Sequence, residues 1–235
     1  MTSTDDPDVL AAVEGHPLAR LVHFTPSRNL HPILTAKALR SSKDLDVNSR
    51  GQYAKSDLLR LDQHPDHVCC SLQYPNGFYF HSARHDLRVQ NYPDWVCLLL
   101  DKRLAATLGT LFCHRNAAAG YGAYLKPGVE AFSACYDQVV YGKDRYERGP
   151  DHDPGSPTDV QAEVLIPAPI PLSYISGIVV PSEEHAVLEN GRLVQLGHDT
   201  TRLNWIVCPD MFNKYAVTRA VQHSHYLTET PWSIG

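Results

Sequence analysis

Prolines bracket one stretch of this 235-residue chain and restrict what it can become. Pro150, Pro154 and Pro157 precede Thr158, and Pro167, Pro169 and Pro171 follow Ile166. A proline fixes φ and removes a backbone donor, so no helix runs through either flank and the residues between are confined to a short extended element. Within it Val160, Ala162, Val164 and Ile166 alternate with Gln161, Glu163 and Leu165. Successive strand side chains point to opposite faces, which predicts a strand over 158–167 with Gln161 and Glu163 on one face. A short, bounded element suits a reactive carboxylate. An ordinary surface strand with a polar face gives the same alternation, so the rest of the chain must decide between the two.

That rest is built mainly from short strands. Leu21–Thr25, His67–Gln73, Trp95–Leu100, the apolar stretch from Leu111, Tyr174–Val180 and Leu203–Cys208 all have strand character. Tyr74-Pro-Asn-Gly77 signals a turn into an aromatic strand, Phe78–Phe80, and Asn190-Gly191 predicts a hairpin over Val187–Val194. Helical signals are fewer. There is a weak one in the N-terminal lead, one at Pro26 with Thr25 as cap and Leu30, Ile33 and Leu34 on its apolar face, a short one at 104–109, and one over 128–141 with Phe132 and Tyr136 inward. Residues 43–66 read as a long polar connection, a kind usually kept for function. Strands mixed with segregated helices give an α+β class, and the length suits one domain over 1–235. Residues 210–235 carry no assigned role.

Several function classes are set aside by composition. With 43% hydrophobic and 20% charged residues and no apolar run long enough to span a bilayer, no membrane role is expected. The start lacks a signal peptide's basic and apolar regions, so a cytoplasmic chain is expected. Six cysteines without C-x-x-C spacing read as core thiols, and 13 scattered histidines, His81 and His85 among them, predict no metal site. A net charge of -5 argues against a strong sequence-independent nucleic-acid binder. Lys37, Arg40, Lys43, Arg50, Lys55 and Arg60 nevertheless outnumber Asp44, Asp46 and Asp57 between 37 and 60, and Arg84, Arg88, Lys102, Arg103 and Arg115 follow, which allows a basic cleft on an acidic body.

Five patches, in this order, carry a family likeness: His23-Phe-Thr25 with Asn29-Leu30 and Ile33-Leu34; Leu59-Arg60-Leu61 before Val68-Cys-Cys-Ser71; Tyr74-Pro-Asn76 with Phe78–Phe80; Asn116-Ala-Ala118; and Gln161-Ala-Glu-Val-Leu165. Over about residues 20–180 the sequence resembles the DarT-type ADP-ribosyltransferases, bacterial toxins that use NAD+ to modify bases of single-stranded DNA. The resemblance implies an ADP-ribosyltransferase-like split β-sandwich, two small packed sheets with flanking helices and an NAD cleft between them. It implies His23 and Thr25 at the nicotinamide end of NAD+ with Asn29 and Leu30 nearby, and Tyr79 or Phe80 stacked on the nicotinamide ring. Arg60 would contact phosphate or aid the acceptor base, Asn116 would line the cleft, and Glu163 would be the catalytic acid. It further implies a macrodomain-type antitoxin that removes the modification. Here Cys113-His-Arg115 stands where a more Gly- and Asp-like run is the family habit, and the loop 43–58 departs from the pattern.

Elementary chemistry is consistent with that assignment. Breaking the nicotinamide–ribose bond develops positive charge on the ribose, which a carboxylate at a ribose hydroxyl stabilises more in the transition state than in the ground state. Gln161 on the same face would meet the acceptor, and its neutral amide suits a base better than an arginine. RNA or a protein side chain is an alternative acceptor. Other classes are a cysteine hydrolase built on Cys69, Cys70 or Cys113 with His67 or His114, and a non-catalytic module on the same fold that binds nucleotide or nucleic acid.

Overall fold

The computed structural model of the chain describes residues 4–48, 60–86 and 94–233, so Arg50, Lys55, Leu59 and Arg88 lie outside the described residues. In chain order the elements are α1 (Pro7–Gly15), β1 (Leu21–Pro26), α2 (Leu30–Ala36), β2 (Ala38–Leu39), α3 (Ser42–Asn48), β3 (His67–Leu72), α4 (Gly77–Arg84), β4 (Trp95–Leu100) and β5 (Leu111–Cys113). Then come α5 (Val129–Ala134), β6 (Val139–Tyr141), β7 (Arg145–Glu147), β8 (Glu163–Pro167), β9 (Ile170–Pro171), β10 (Ile175–Val180), α6 (Glu183–Gln195), β11 (Trp205–Val207), α7 (Lys214–His223) and β12 (Thr230–Trp232).

Eight strands share one hydrogen-bonded order, β12-β11-β10-β4-β1-β3-β8-β5, with β10 and β11 parallel and the other pairs antiparallel. The order contains a seam. β1 pairs β4 at six positions, from Leu21↔Leu100 to Pro26↔Trp95, yet pairs β3 only at Leu21↔Leu72 and Val22↔Ser71. From His23 onward the two halves part. The α+β class with flanking helices is as expected, and its main strands share one large mixed sheet in which the β1–β3 pairing is short.

Trp95–Leu100 reads as an unbroken apolar run because β4 is buried on both faces. Val96, Leu98 and Leu100 face one core with Leu21, Leu30 and Ile178, while Trp95, Cys97 and Leu99 face a second with Val22, Phe24 and Phe80. Each such buried aliphatic side chain contributes about 1.5–3 kcal/mol.

The structure corrects the expected elements in several places. Phe78–Phe80 is not a strand but the first turn of α4, because Asn76 Oδ1 accepts the Tyr79 N–H at 3.1 Å and caps the helix. Val187–Val194 is not a hairpin. It lies inside α6, where Ser182 Oγ accepts the His185 N–H at 3.3 Å and Ala186, Glu189, Asn190 and Leu193 are buried at helical spacing. Glu189 takes a bond from Ser27 Oγ at 2.8 Å and pairs with Arg192 at 2.6 Å, so the buried face of this helix is partly polar.

The helix expected from Pro26 opens as a 3-10 turn, Ser27–Asn29, without a side-chain cap. Over 128–141 the helix is shorter, covering α5 alone, with Phe132 buried and Tyr136 half-buried against it. Residues 43–66 begin inside α3, and 49–59 lie outside the described residues. The strand read over 158–167 begins only at Glu163, because the Ala162 N–H is turned back onto Asp159 O at 2.9 Å and Gln161 sits in that turn. Residues 210–235 supply α7 and the edge strand β12. Gly77 lets α7 approach α4, since a Cβ there would meet Lys214 Cα at 3.0 Å.

Candidate active site

Glu163 opens β8 at the inner end of the seam, flanked by Ser71 of β3 and Cys113 of β5. Its carboxylate is buried, 7% exposed, so its charge requires partners. Oε2 accepts the Ala117 N–H at 2.9 Å and Oε1 accepts Asn76 Nδ2 at 3.3 Å. Both donors are held by neighbours. Asn116 Oδ1 accepts the Ala118 N–H at 2.9 Å, and Asn116 O accepts the Ala119 N–H at 3.0 Å, an Asx-type turn that aims the Ala117 N–H at the acid. The Asn76 N–H donates to Ser71 Oγ at 2.9 Å while its side chain caps α4.

His23 stands where β1 leaves β3. Its Nδ1 lies 2.8 Å from Cys69 O, and a carbonyl only accepts, so Nδ1 carries the proton and Nε2 of the neutral ring is an acceptor. Burial, with a smaller push from the Arg60 charge, holds its pKa below the ordinary histidine value. Cys69 lies on β3 opposite Leu165, two positions along from Glu163, and its thiol donates to Asp62 Oδ2 at 3.1 Å. Burial raises the Cys69 pKa, Arg60 opposes this, and the Glu163 and Asp62 charges add to it. His23, Arg60, Asp62, Cys69 and Glu163 therefore form one electrostatic neighbourhood.

Arg60 is engaged within this group. Its guanidinium pairs with Asp62 at 3.1 Å and donates to Ser42 Oγ at 3.2 Å, to His67 O at 3.0 Å and to His64 O. This anchors the 60–67 turn. Thr25 and Asn29 are buried together, with Asn29 Nδ2 donating to Thr25 Oγ1 at 2.8 Å.

Two residues expected at the cofactor belong to the core instead. Leu30 is 1% exposed within the larger core, and Phe80 is 1% exposed, stacked on Phe24 at 4.5 Å and edge-on to Trp95. A ring so packed has no free face for nicotinamide. Tyr79 is half-buried on the first turn of α4, 5.7 Å from Phe24, and is the aromatic residue that remains.

Gln161 is carried on the turn before β8, its N–H donating to Asp159 Oδ1 at 2.9 Å and its side chain bonded to the Tyr146 hydroxyl. Asp159 bears no sequence signature; it is 1% exposed, and burial pushes its carboxyl up to about 6 against the Gln161 N–H and Arg115. Asn76 was legible only as a turn residue. Its position three before Tyr79 was the available sign of a helix cap.

The thiols do not fit nucleophilic chemistry. Burial raises Cys70 and pushes Cys113 up to about 11, against the thiolate a nucleophile requires. Of the histidines considered as their base, His67 has Nδ1 on Asp66 at 2.7 Å and Nε2 on Gly109 O at 3.1 Å, and His114 Nε2 takes a bond from Arg115 at 3.0 Å. His64, Asp66 and His67 do bring ligand-type atoms within 4.8 Å of one another, away from the Glu163 carboxylate's own partners.

Comparison with known proteins bears on this geometry. A model of the family described as "ssDNA thymidine ADP-ribosyltransferase, DarT" matches residues 22–212. Among solved structures, Thermus sp. 2.9 DarT in complex with NAD+ is similar at TM-score 0.55 and 16% identity, covering 83% of this chain and 98% of that one. The same protein in complex with ADP-ribosylated ssDNA is similar at TM-score 0.56 and 16% identity, over 90% and 100% of the two chains. Thermosipho africanus DarTG in complex with ADP-ribose is similar at TM-score 0.55 and 17% identity, over 83% of this chain and 51% of that one. No curated protein sequence matches the chain.

Proposed function

Because this chain belongs to the DarT family of ssDNA thymidine ADP-ribosyltransferases, we propose that it transfers ADP-ribose from NAD+ to thymidine bases of single-stranded DNA with Glu163 as the catalytic acid residue. NAD+ is the co-substrate. As the bond from ribose to nicotinamide breaks, nicotinamide leaves with the bonding pair and the ribose carbon becomes cationic. The Glu163 carboxylate, bonded to a ribose hydroxyl, stabilises that charge. A ring nitrogen of the thymine then bonds to the same carbon and gives its proton to water, leaving the modified base, free nicotinamide and one released proton. A single strand suits this chemistry because its bases are already unstacked.

His23 supports the nicotinamide end through the acceptor Nε2, with the buried Thr25–Asn29 pair shaping the pocket wall beside it. Tyr79 supplies the ring face. Arg60 acts as a positioning residue for the 60–67 turn and for the field around His23, Asn116 positions the donor to Glu163, and Gln161 meets the acceptor from its turn. The observation that carries this assignment is the buried Glu163 carboxylate, held by Asn76 and the Ala117 N–H at the seam where His23 reaches Cys69. The family likeness further supports a toxin acting in the cytoplasm, paired with a separate macrodomain-type antitoxin that reverses the modification. No helix among the described residues is long and apolar enough to cross a membrane.

The test is to incubate the protein with labelled NAD+ and a panel of single-stranded DNA, RNA and protein acceptors, and to follow mass gain. Thymidine-containing DNA is expected to gain ADP-ribose. Gain confined to RNA or protein overturns the acceptor, and no gain in any acceptor overturns the activity.

A further inference from the structure

We propose that Tyr121, Tyr124 and Arg115 form a stacking shelf on which bases of the single-stranded acceptor lie as the strand passes Glu163. This rests on the transfer reaction proposed above and names residues for its acceptor side.

The first observation is conformational. Gly120, Tyr121 and Gly122 have φ values of 60°, 55° and 82°, three successive residues in the left-handed region. Glycine adopts it freely, whereas tyrosine there is uncommon, and such residues cluster at ligand sites. The surroundings enforce it. A Cβ at Gly122 would lie 2.4 Å from Asp62 O, so the loop passes that carbonyl only as glycine, and the Tyr121 N–H is fixed to Ala118 O at 3.2 Å. The result is an aromatic ring 67% exposed on a constrained backbone.

The second observation is the stack around Tyr124, three residues further along the loop. The Arg115 guanidinium lies over the Tyr124 ring at 4.1 Å and donates to His114 Nε2 at 3.0 Å, while His114 meets Tyr124 edge-on at 6.1 Å. Tyr124 is 40% exposed. A flat guanidinium fixed on one ring, three residues along the same loop from a second exposed tyrosine, offers π faces and a positive charge together. Single-strand binders use that combination, because every base has a π face and every linkage a phosphate. With a chain net charge of -5, stacking rather than the overall field must supply affinity.

The third observation is place. Cys113 of β5 pairs with Glu163, and the Ala117 N–H in the same loop binds its Oε2 at 2.9 Å. The other end of the loop rests, through Gly122, on Asp62, the partner of Arg60. The shelf is thus continuous with the site on the side opposite the His23 strand.

The test compares Tyr121→Ala, Tyr124→Ala and Tyr121→Trp with the parent, measuring KM for a thymidine-containing single-stranded oligonucleotide and, separately, KM for NAD+. Each alanine variant is expected to raise the oligonucleotide KM about tenfold, the equivalent of one lost stack. The KM for NAD+ should stay unchanged, and Tyr121→Trp should restore the oligonucleotide KM. An unchanged oligonucleotide KM, a parallel rise in the NAD+ KM, or failure of tryptophan to restore overturns the shelf. If the parent modifies no oligonucleotide, the reaction itself is overturned, and fluorescence anisotropy of a fluorescein-labelled oligonucleotide then decides the shelf separately. Binding weakened about tenfold by each alanine supports it, whereas no binding by the parent, or binding unaffected by both variants, overturns it.

Discussion

Glu163→Gln removes one charge from a carboxylate that two donors hold, and the structure gives both consequences a size. The carboxylate accepts the Ala117 N–H at 2.9 Å and Asn76 Nδ2 at 3.3 Å. A carboxamide has one oxygen, so one of these donors must face an NH2 group. Asn76 cannot solve this by rotating its amide, because its Oδ1 accepts the Tyr79 N–H at 3.1 Å and rotation would turn NH2 toward that donor. One buried donor is left unsatisfied, which costs about 1–3 kcal/mol. For a chain of this length each kcal/mol lowers Tm by roughly 2–4 °C. On the rate, losing one such electrostatic stabiliser of the transition state slows turnover by about 100- to 1,000-fold. The assay is the initial rate of mass gain by thymidine-containing single-stranded DNA, run well below the melting temperature of the variant, beside a calorimetric melt. The expected result is a loss in both readouts. Transfer within a few-fold of the parent refutes the role of the acid, and an unchanged Tm shows that the two donors are not committed to it. Glu163→Ala separates the effects, because the vacated space admits water to both donors while the rate falls as far.

Further tests address the surroundings. His23→Ala should weaken NAD+ binding, by calorimetric titration, more than it slows turnover at saturating NAD+, since under the proposed function it removes the Nε2 acceptor offered to the nicotinamide end; equal affinity counts against this placement. Asp159 titrates near 3.8 when unfolded and at about 6 in the fold, where burial raises it, Arg115 and the Gln161 N–H oppose, and Asp144 assists. Its stabilising contribution is therefore complete below about pH 4 and lost as pH rises through 6. Asp159→Asn keeps the oxygen that accepts the Gln161 N–H and cannot ionise, so its stability relative to the parent should rise between pH 4 and 7, by about 3 kcal/mol; a pH-independent difference overturns it. Gly191→Ala should raise Tm, equivalent to about 0.5–1 kcal/mol, because the residue lies within α6 and an added Cβ would meet nothing within 4 Å. A fall in Tm would instead favour the Asn190-Gly191 turn.

The strands were legible where burial alone sets the pattern. β4 is covered on both faces and its sequence says so, and the proline brackets around β8 located Glu163 at the element that carries it. What the sequence obscured was decided by single polar contacts between distant segments. Phe78, Tyr79 and Phe80 have high strand propensity, yet one side chain, Asn76, starts a helix there. Asn190-Gly191 is a strong turn pair, but the stretch is helical, with Glu189 bonded to Ser27 in the 3-10 turn before α2. The resemblance located positions and not orientations. It marked Leu30 and Phe80 as near the cofactor, and the structure turns both side chains into the core. Asp159 and the Ala117 N–H left no trace in either, because a buried carboxyl after a proline and a backbone donor have no sequence signature.

The way the two ends of the site are fixed explains why the seam lies where it does. Glu163 is fixed by a backbone N–H, and His23 by a backbone carbonyl, each supplied by an element beside the strand that carries it. A backbone group cannot change rotamer, so the Cys69 carbonyl follows strand register and the Ala117 N–H follows the Asn116 turn just beyond β5. Cys69 is the common point, with its carbonyl on His23, its strand register two positions from Glu163 and its thiol on Asp62. Had β1 continued to pair with β3 beyond Val22, the two strands would not part at His23. The early break in that ladder is therefore a condition for placing a neutral histidine and a buried acid on either side of one strand.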